Sequence, residues 1–190
     1  MTVNKKKRGR PQGHASLMSQ SAILETAKVS DEKEGKVPSL RALAIALDVD
    51  PMAIYHYFKN KNALLEALTT SLVEEIYNPV GDTDWQQEIK SLCVSYIELL
   101  REYSGLLRTM LSMTSHGPAQ VFSERYQMIV RPLGLSEQMQ KNGLDLLADY
   151  LHGFAFAISC HNDQCEITTE MMNGPVALIC KALMAESDSN

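Results

Sequence analysis

The N-terminal end of the sequence carries a dense group of side chains that can bind anions. Lysine or arginine occupies positions 5, 6, 7, 8 and 10, and residues 1–62 contain 11 Lys and Arg against 6 Asp and Glu. Residues 63–190 have the opposite balance, 7 basic against 17 acidic residues, so the net charge of −5 divides into +5 and −10. A basic end attracts polyanions while an acidic body repels them. The charge pattern therefore predicts contact with nucleic acid through one end only.

Other side chains that could do chemistry are scattered. Of the four cysteines, only Cys160 and Cys165 lie near each other and near a histidine, His161. A metal site needs converging thiolates or imidazoles, and the sequence offers neither a C-x-x-C pair nor a second Cys/His pair. It also lacks the G-x-S-x-G, P-loop, H-E-x-x-H and paired-carboxylate patterns of common enzymes. We expect no metal, no cofactor and no enzymatic activity.

The hydrophobic pattern predicts helices throughout and no strand. It indicates an all-α fold of about nine helices, with a flexible basic arm at residues 1–14, a three-helix head at 15–62 and a larger body at 63–190. No stretch has the ~18–20 apolar residues that cross a bilayer, and no apolar segment follows the basic N-terminus as in a secretory signal. We therefore expect a cytoplasmic protein with reduced thiols and no membrane contact.

Residues 38–58 have the pattern of two short helices joined by a tight turn. Asp48 suits a left-handed conformation at the break between them. Asp50 is a natural N-cap and Pro51 a favourable first residue for the second helix, which is predicted at 51–58. Asn60 should cap a longer helix that follows. This is helix-turn-helix geometry, in which the second helix enters the DNA major groove.

The segment PSLRALAIALDVDPMAIYHYFKNKNALLEAL closely resembles the DNA-binding region of TetR-family transcriptional regulators, in particular the tetracycline-repressor branch. The matching parts are S-x-R-x-L-A at 39–44, L-x-V at 47–49, Y-x-Y-F at 55–58 and K-N-K-x-x-L-L at 59–65. The resemblance covers about residues 16–76, and behind it only helix number and length agree. It implies a DNA-binding head and a C-terminal helical ligand-binding and dimerisation domain.

The resemblance also implies which head residues contact double-stranded DNA. Arg41 would contact a phosphate or a base edge, and Lys61 would bind a phosphate at a helix N-terminus. The recognition helix would present its first residues to the bases and two later side chains to the backbone and groove: Pro51, Met52, Ala53, Tyr55 and His56. Ile54 and Phe58 would be core. Because this helix has no Arg, Lys, Asn or Gln, direct base reading is expected to be modest.

The basic arm contains the sequence Arg-Gly-Arg-Pro at residues 8–11. This matches the core of an AT-hook, whose arginines enter a narrow A·T-rich minor groove. Arg8 and Arg10 would then add DNA contacts. A solvated tail that acts only through its charge remains an alternative, and either arrangement should steepen the salt dependence of binding.

In this family the body forms a homodimer and commonly binds a small effector. Apolar stripes on the last two helices are predicted to form a four-helix bundle with a partner copy: Leu144, Ala148, Leu151, Ala155, Ile158, Val176, Ile179 and Leu183. An intramolecular helix pair is the alternative. Methionine and aromatic side chains on the intervening helices are predicted to line a largely apolar effector pocket: Tyr96, Tyr103, Met110, Met113, Tyr126, Tyr150 and Phe154. The low basic count of the body favours a neutral or cationic ligand.

The sequence therefore predicts a homodimeric, effector-responsive repressor that binds a pseudo-palindromic operator. Two alternatives remain open. One is a ligand-independent regulator or activator on the same scaffold. The other is a small-molecule or partner-binding module that reads DNA sequence weakly, which the composition of the recognition helix favours and the basic arm opposes.

Overall fold

The structure, a computed structural model, describes residues 18–34, 39–81, 84–103, 105–113, 116–160 and 167–187. Over these ranges the chain forms nine α-helices and no strand, as predicted. The helices are α1 Gln20–Glu34, α2 Leu40–Ala46, α3 Pro51–Tyr55, α4 Lys61–Val73, α5 Trp85–Glu102, α6 Leu106–Ser112, α7 Gly117–Val130, α8 Glu137–Cys160 and α9 Asn173–Ser187. The predicted arm with Arg8 and Arg10, and the segment with His161 and Cys165, lie outside the described residues.

Short polar side chains begin the helices of the head where the sequence predicted them. Asp48 has a φ of 53°, the left-handed conformation expected at the turn. The Asp50 carboxylate accepts a hydrogen bond from the Met52 amide at 2.8 Å, with Pro51 in the first helical position. The Asn60 side chain accepts one from the Ala63 amide at 2.9 Å. These caps satisfy amides that have no partner within the helix.

α3 ends earlier than predicted, and the C-terminal helical region consists of two segments. α3 stops at Tyr55 and not at residue 58, because the chain tightens into a turn in which the Tyr57 amide donates to the Ile54 carbonyl at 3.0 Å. This turn brings Phe58 into the core, where only 2% of it is exposed. The C-terminal helical region is also divided. A 3₁₀ turn covers Thr169–Met172, and α9 starts afresh at Asn173, so that Gly174 and Pro175 lie in its first turn.

The helices pack around one continuous hydrophobic core, and α4 connects its two ends. α4 packs against α1 in the head and against α5, α6 and α7 in the body. Its approach to α7 is close, because a Cβ at Gly117 would lie 2.6 Å from the Thr70 hydroxyl oxygen. The boundary predicted after residue 62 falls within the first turn of α4.

Two side chains of the body hold the segment between α4 and α5, which we call the junction (residues 74–81). The buried Glu88 carboxylate on α5 accepts hydrogen bonds from the amides of Val80 and Gly81, at 2.8 and 3.0 Å, and from the Tyr77 hydroxyl at 3.2 Å. Arg125 on α7 donates to the carbonyls of Glu74 at 2.6 Å and of Ile76, with longer contacts to two further carbonyls. The last turn of α4 is thereby attached to the body.

Candidate nucleic-acid interface and ligand cleft

α2 and α3, which pack against each other, carry several exposed side chains on the head. Arg41 is exposed on α2, and Ile45 one turn later is 81% exposed. On and just after α3 the exposed predicted residues are Pro51, Met52, Tyr55 and His56, whereas Ala53 is partly buried. We use the term head surface for the exposed residues of this region: Arg41, Ile45, Pro51, Met52, Tyr55, His56, Lys59 and Lys61.

Beneath the head surface, Ile54 and Phe58 anchor α3 in the core. They are 0% and 2% exposed, which agrees with their predicted core position. Because both are buried, the opposite side of this short helix must face outward. The orientation of α3 is therefore fixed by two buried side chains.

The N-terminus of α4 adds positive charge to the head surface. Lys61 is the first residue of α4 and is exposed. Lys59, which the sequence reasoning did not single out, is also exposed two residues earlier. The run Lys59-Asn60-Lys61 in the sequence predicts an anion-binding helix start, because an N-cap flanked by two cations combines free helix amides with positive charge.

Tyr57 has a structural role next to the head surface. Its hydroxyl donates a hydrogen bond to the Met18 carbonyl at 2.7 Å, although 39% of the residue is exposed. The bond ties the turn after α3 to the start of α1. It also places the described beginning of the chain, which follows the basic arm in sequence, beside the recognition helix.

In the body, one of the predicted effector residues belongs to a packed aromatic cluster. The Tyr96 hydroxyl lies 3.0 Å from His152 Nε2, and the Tyr96 and Phe122 ring centroids are 4.9 Å apart. Burial raises the pKa of Tyr96 above its ordinary value and lowers that of His152. The neutral forms of both groups are therefore favoured in the folded protein.

The other predicted effector residues are distributed over the body. Tyr103 is buried, and Tyr150 and Phe154 are neighbours with ring centroids 6.1 Å apart. Met110 and Met113 are partly buried on and after α6. The Met113 sulfur lies 3.6 Å from the Thr69 hydroxyl oxygen of α4, which donates its proton to the Leu65 carbonyl at 2.8 Å.

Tyr126 is fully buried at a close approach between α7 and α8. A Cβ at Gly143 would lie 2.4 Å from the Tyr126 hydroxyl oxygen. Among the described residues this hydroxyl has no hydrogen-bond partner. Burial raises the pKa of Tyr126 to about 12. It thus remains a neutral hydroxyl at physiological pH.

A cleft of about 640 Å³ lies between α5, α6 and α8, which we call the α6–α8 cleft. Its lining residues are Leu100, Leu107, Arg108, Leu111, Ser112, Ala155, Phe156, Ser159 and Cys160. Of these, only Ala155 was singled out from the sequence, and as a dimer residue. The seven predicted effector side chains do not line this cleft. Smaller clefts lie beside the start of α5 and between α7 and α8.

The structure covers most of the predicted dimer residues within a single chain. Five of them are buried against neighbouring helices of the same subunit: Leu151, Ala155, Val176, Ile179 and Leu183. Leu144, Ala148 and Ile158 are partly buried. The helical stripes thus mark the intramolecular contact of α8 and α9 with each other and with α5, and these five side chains are not available to a partner.

The opposite faces of α8 and α9 are exposed and partly apolar. Leu146 on α8 is 55% exposed, and Leu178 on α9 is 66% exposed. Seven residues after Leu146 lies the exposed Gly153, where a Cβ would meet nothing within 4 Å. We call this surface the outer α8–α9 face.

The described residues give no sign of a metal centre or a membrane span. They contain no group of three or more His, Cys, Asp or Glu side chains that could hold a metal ion. None of their helices is long and apolar enough to cross a membrane. Burial raises the pKa of the Cys93 thiol to about 12 and that of Cys180 to about 11, so these thiols stay protonated at neutral pH.

Comparison with known proteins agrees with this architecture. The fold is similar to apo ActR from Streptomyces coelicolor, with a TM-score of 0.77 and 19% identity over 90% of this chain and 97% of that one. ActR in complex with actinorhodin gives a TM-score of 0.72 and 18% identity, with coverage of 90% and 98%. BioQ is a protein of Mycobacterium smegmatis. The structure of BioQ with its double-stranded DNA operator has a TM-score of 0.69 and 20% identity over 88% of this chain and 99% of that one. No protein of curated function matches the sequence.

Family models identify both parts of the chain. Residues 38–68 match the model described as "Bacterial regulatory proteins, tetR family". Residues 78–179, more than half of the chain, match "Tetracyclin repressor-like, C-terminal domain". The first match contains the helix-turn-helix and the second the helical body. The chain therefore belongs to the TetR family of DNA-binding transcriptional regulators.

Proposed function

We propose that the protein is a repressor that binds a pseudo-palindromic operator as a homodimer and is released by a small, largely apolar effector. The observation that carries the proposal is the head surface, on which Arg41, Lys59 and Lys61 accompany the exposed side of α3. A duplex placed against this surface would meet three cations and the helix amides at the start of α4. Such contacts set the position of a protein on DNA.

Base reading would depend on the first turn of α3. Met52, 67% exposed, and Pro51 can make apolar contacts with thymine methyl groups, and Tyr55 and His56 can hydrogen-bond to bases or phosphates. Bidentate contacts to guanine or adenine require Arg, Lys, Asn or Gln, and α3 contains none. We therefore expect phosphate contacts and the arm, through Arg8 and Arg10, to supply a large share of the affinity.

We place the dimer contact on the outer α8–α9 face. A partner copy related by a two-fold axis would bring Leu146 and Leu178 into a four-helix bundle, with Gly153 allowing close approach of the α8 helices. Burial of the exposed leucines stabilises such a contact by about 1.5–3 kcal/mol per side chain. Two heads separated by one helical turn of DNA, about 34–36 Å, then require half-sites with the same spacing.

The relatives support both a DNA partner and an effector. BioQ has been observed with its double-stranded DNA operator, and ActR with actinorhodin. In this chain, α4 begins at the head surface and ends at the junction held by Glu88 and Arg125. A ligand that changes how the body holds α4 would change the position of the head. Its effect is limited by its difference in affinity for the two states.

The test is selection of bound DNA from a random pool, followed by binding measurements with variants. We expect a palindrome with A·T-rich flanks. Arg41→Ala should weaken binding to the selected site by about 5- to 150-fold, as for loss of a contact worth 1–3 kcal/mol, without changing the size of the dimer. Arg131→Ala is the matched control, because it removes an exposed cation from the body. Wild-type affinity in Arg41→Ala would contradict the proposed docking.

A second candidate function is a ligand- or partner-binding module with weak sequence reading. The composition of α3 favours it, since its five residues carry no bidentate base-reading group. In that case the selection would recover no sequence, and binding would show only a steep salt dependence from counterion release.

A further inference from the structure

We propose that the α6–α8 cleft binds an amphipathic organic acid, with the hydrocarbon part between the helices and the carboxylate on Arg108. The inference deepens the proposed function, on which it rests, by giving the chemical class of the effector. It commits to a small molecule with one anionic group. A neutral or cationic apolar compound is the alternative that the experiment distinguishes.

The size and lining of the cleft suit a hydrocarbon chain or ring. Its volume of about 640 Å³ falls within the usual range for small-molecule sites, roughly 300–1,000 Å³. Leu100 and Ala155 are nearly buried at its base, only 6% and 8% exposed. Leu111 on α6 and Phe156 on α8 stand at its rim, 65% and 63% exposed. Two large apolar side chains facing solvent from opposite sides would lose water contact when a ligand enters.

The polar groups of the cleft favour an anion. The Ser112 hydroxyl donates to the Thr109 carbonyl at 2.8 Å, and the Ser159 hydroxyl donates to the Phe156 carbonyl at 2.7 Å. Both hydroxyl protons are therefore engaged with the backbone. Arg108, by contrast, lines the cleft with a cationic guanidinium that has five N–H donors in a planar fork.

The charge of the cleft lining is positive. Among the described residues that line the cleft, Arg108 is the single charged side chain, and none is acidic. A planar fork of donors beside an apolar surface matches a carboxylate attached to a hydrocarbon. The low basic count of the whole body favoured a neutral or cationic ligand. The local arrangement points the other way, because binding depends on the charges that line the cleft.

The cleft is also connected to the head. Arg108, Leu111 and Ser112 belong to α6, which packs against α4. Immediately after α6, the Met113 sulfur lies in contact with α4, 3.6 Å from the Thr69 hydroxyl oxygen. A ligand that draws α6 toward α8 would therefore act on α4, the helix that carries Lys61 at its other end.

The experiment is calorimetric titration of the full-length protein with three probes that share one chain length: decanoate, 1-decanol and decyltrimethylammonium. We expect decanoate to bind at least about tenfold more tightly than either of the others, as hydrogen bonds to a charged group imply. Arg108→Gln should weaken decanoate about tenfold and leave 1-decanol unchanged. The matched control, Arg131→Gln, should bind all three as the wild type does. Arg108 is exposed, so the variant is expected to fold.

Two results would overturn the proposal: 1-decanol binding as tightly as decanoate to the wild type, or Arg108→Gln binding decanoate with unchanged affinity. A second variant, Leu111→Glu, adds a carboxylate at the rim and should weaken decanoate more than 1-decanol. DNA release is measured separately, by adding decanoate to the protein on its selected operator. Decanoate binding that depends on Arg108 but leaves DNA affinity unchanged supports the cleft and contradicts effector-driven release.

Discussion

Replacing Arg125 with alanine should destabilise the protein by about 2 kcal/mol, because this side chain holds the C-terminal end of α4. Its guanidinium donates to the carbonyls of Glu74, at 2.6 Å, and of Ile76, and it lies 3.3 Å from the Tyr77 carbonyl and 3.5 Å from that of Val73. These carbonyls lie where a helix leaves its last acceptors unpaired and its dipole favours a cation. Burial lowers the pKa of Arg125, but the group stays charged at neutral pH.

The magnitude follows from the two shorter bonds. A hydrogen bond to a charged group contributes about 1.5–3 kcal/mol, and the two longer contacts add little. Because Arg125 is only partly buried, water can reach the freed carbonyls and recover part of the loss. Two such bonds sum to about 3–6 kcal/mol. The lower end of this range, reduced because water re-solvates the freed carbonyls, gives about 2 kcal/mol. Arg125→Lys should lose roughly half as much, since a lysine keeps the charge but not the planar fork of donors.

The assay is urea unfolding followed by far-ultraviolet circular dichroism at one fixed protein concentration, since the proposed dimer would make stability depend on concentration. Hydrogen exchange of the amides in residues 70–77 should become faster in Arg125→Ala, while exchange in α8 should change little. Arg131→Ala, which removes an exposed arginine close to the end of α7, should lose less than about 0.5 kcal/mol. If Arg125→Ala and Arg131→Ala unfold at the same urea concentration, the hydrogen bonds of Arg125 to the end of α4, which we call the Arg125 clamp, make no contribution to stability and the prediction is wrong.

Three further variants test other parts of the fold. Burial lowers the pKa of His152 below 6.5, so the unfolded chain takes up a proton first as pH falls. Stability should therefore decrease below about pH 7, and His152→Gln should reduce this decrease in the urea midpoint; an equal decrease in both proteins would exclude His152 as its source. Gly143→Ala should lose about 1–3 kcal/mol through the 2.4 Å clash with the Tyr126 hydroxyl, and adding Tyr126→Phe should recover part of it; no recovery would place the strain elsewhere. Leu178→Glu should convert the dimer to a folded monomer in light scattering, while Met128→Glu, equally a change at an exposed apolar residue, should not; a dimer in both would contradict an interface on the outer α8–α9 face.

The sequence was sufficient for features that depend on neighbouring residues. Asp48 was expected to adopt a left-handed conformation because few other residues tolerate it, and its φ is 53°. Asp50 and Asn60 are expected to begin helices because their side chains accept hydrogen bonds from the free amides there, and both caps form. Pro51 suits the first helical position because it has no N–H that needs a partner. The end of α3 was predicted three residues too late. The turn after Tyr55 depends on where Phe58 meets the core, which is a tertiary contact.

Features that depend on distant parts of the chain could not be predicted. The helical period of α8 and α9 identifies a buried face correctly, but periodicity does not reveal whether the same subunit or a partner covers it. Leu151 and Leu183 are covered by their own chain. Likewise, nothing near Arg125 in the sequence indicates that it reaches the carbonyls of residues 74–77. The α6–α8 cleft is the space left between three helices, so its lining residues share no local pattern.

The attachments of α4 determine how a ligand in the body would move the head. On the α7 side the contact is tight, with the close approach at Gly117 and the Arg125 clamp. On the α6 side it includes the longer contact between Thr69 and Met113, at 3.6 Å. We therefore expect α4 to rotate about its α7 contacts when α6 shifts.

The geometry of the helix amplifies such a rotation. Lys61 lies 12 residues before Val73, a distance of about 18 Å at 1.5 Å per residue. A rotation of about 5° about the clamp would displace Lys61 by about 1.6 Å at this helical rise. That displacement exceeds the narrow range of donor–acceptor distances in which a hydrogen bond keeps its strength, roughly 2.7–3.2 Å. In the proposed dimer both heads must fit their half-sites together, so a small change at α6 would be sufficient to weaken DNA binding.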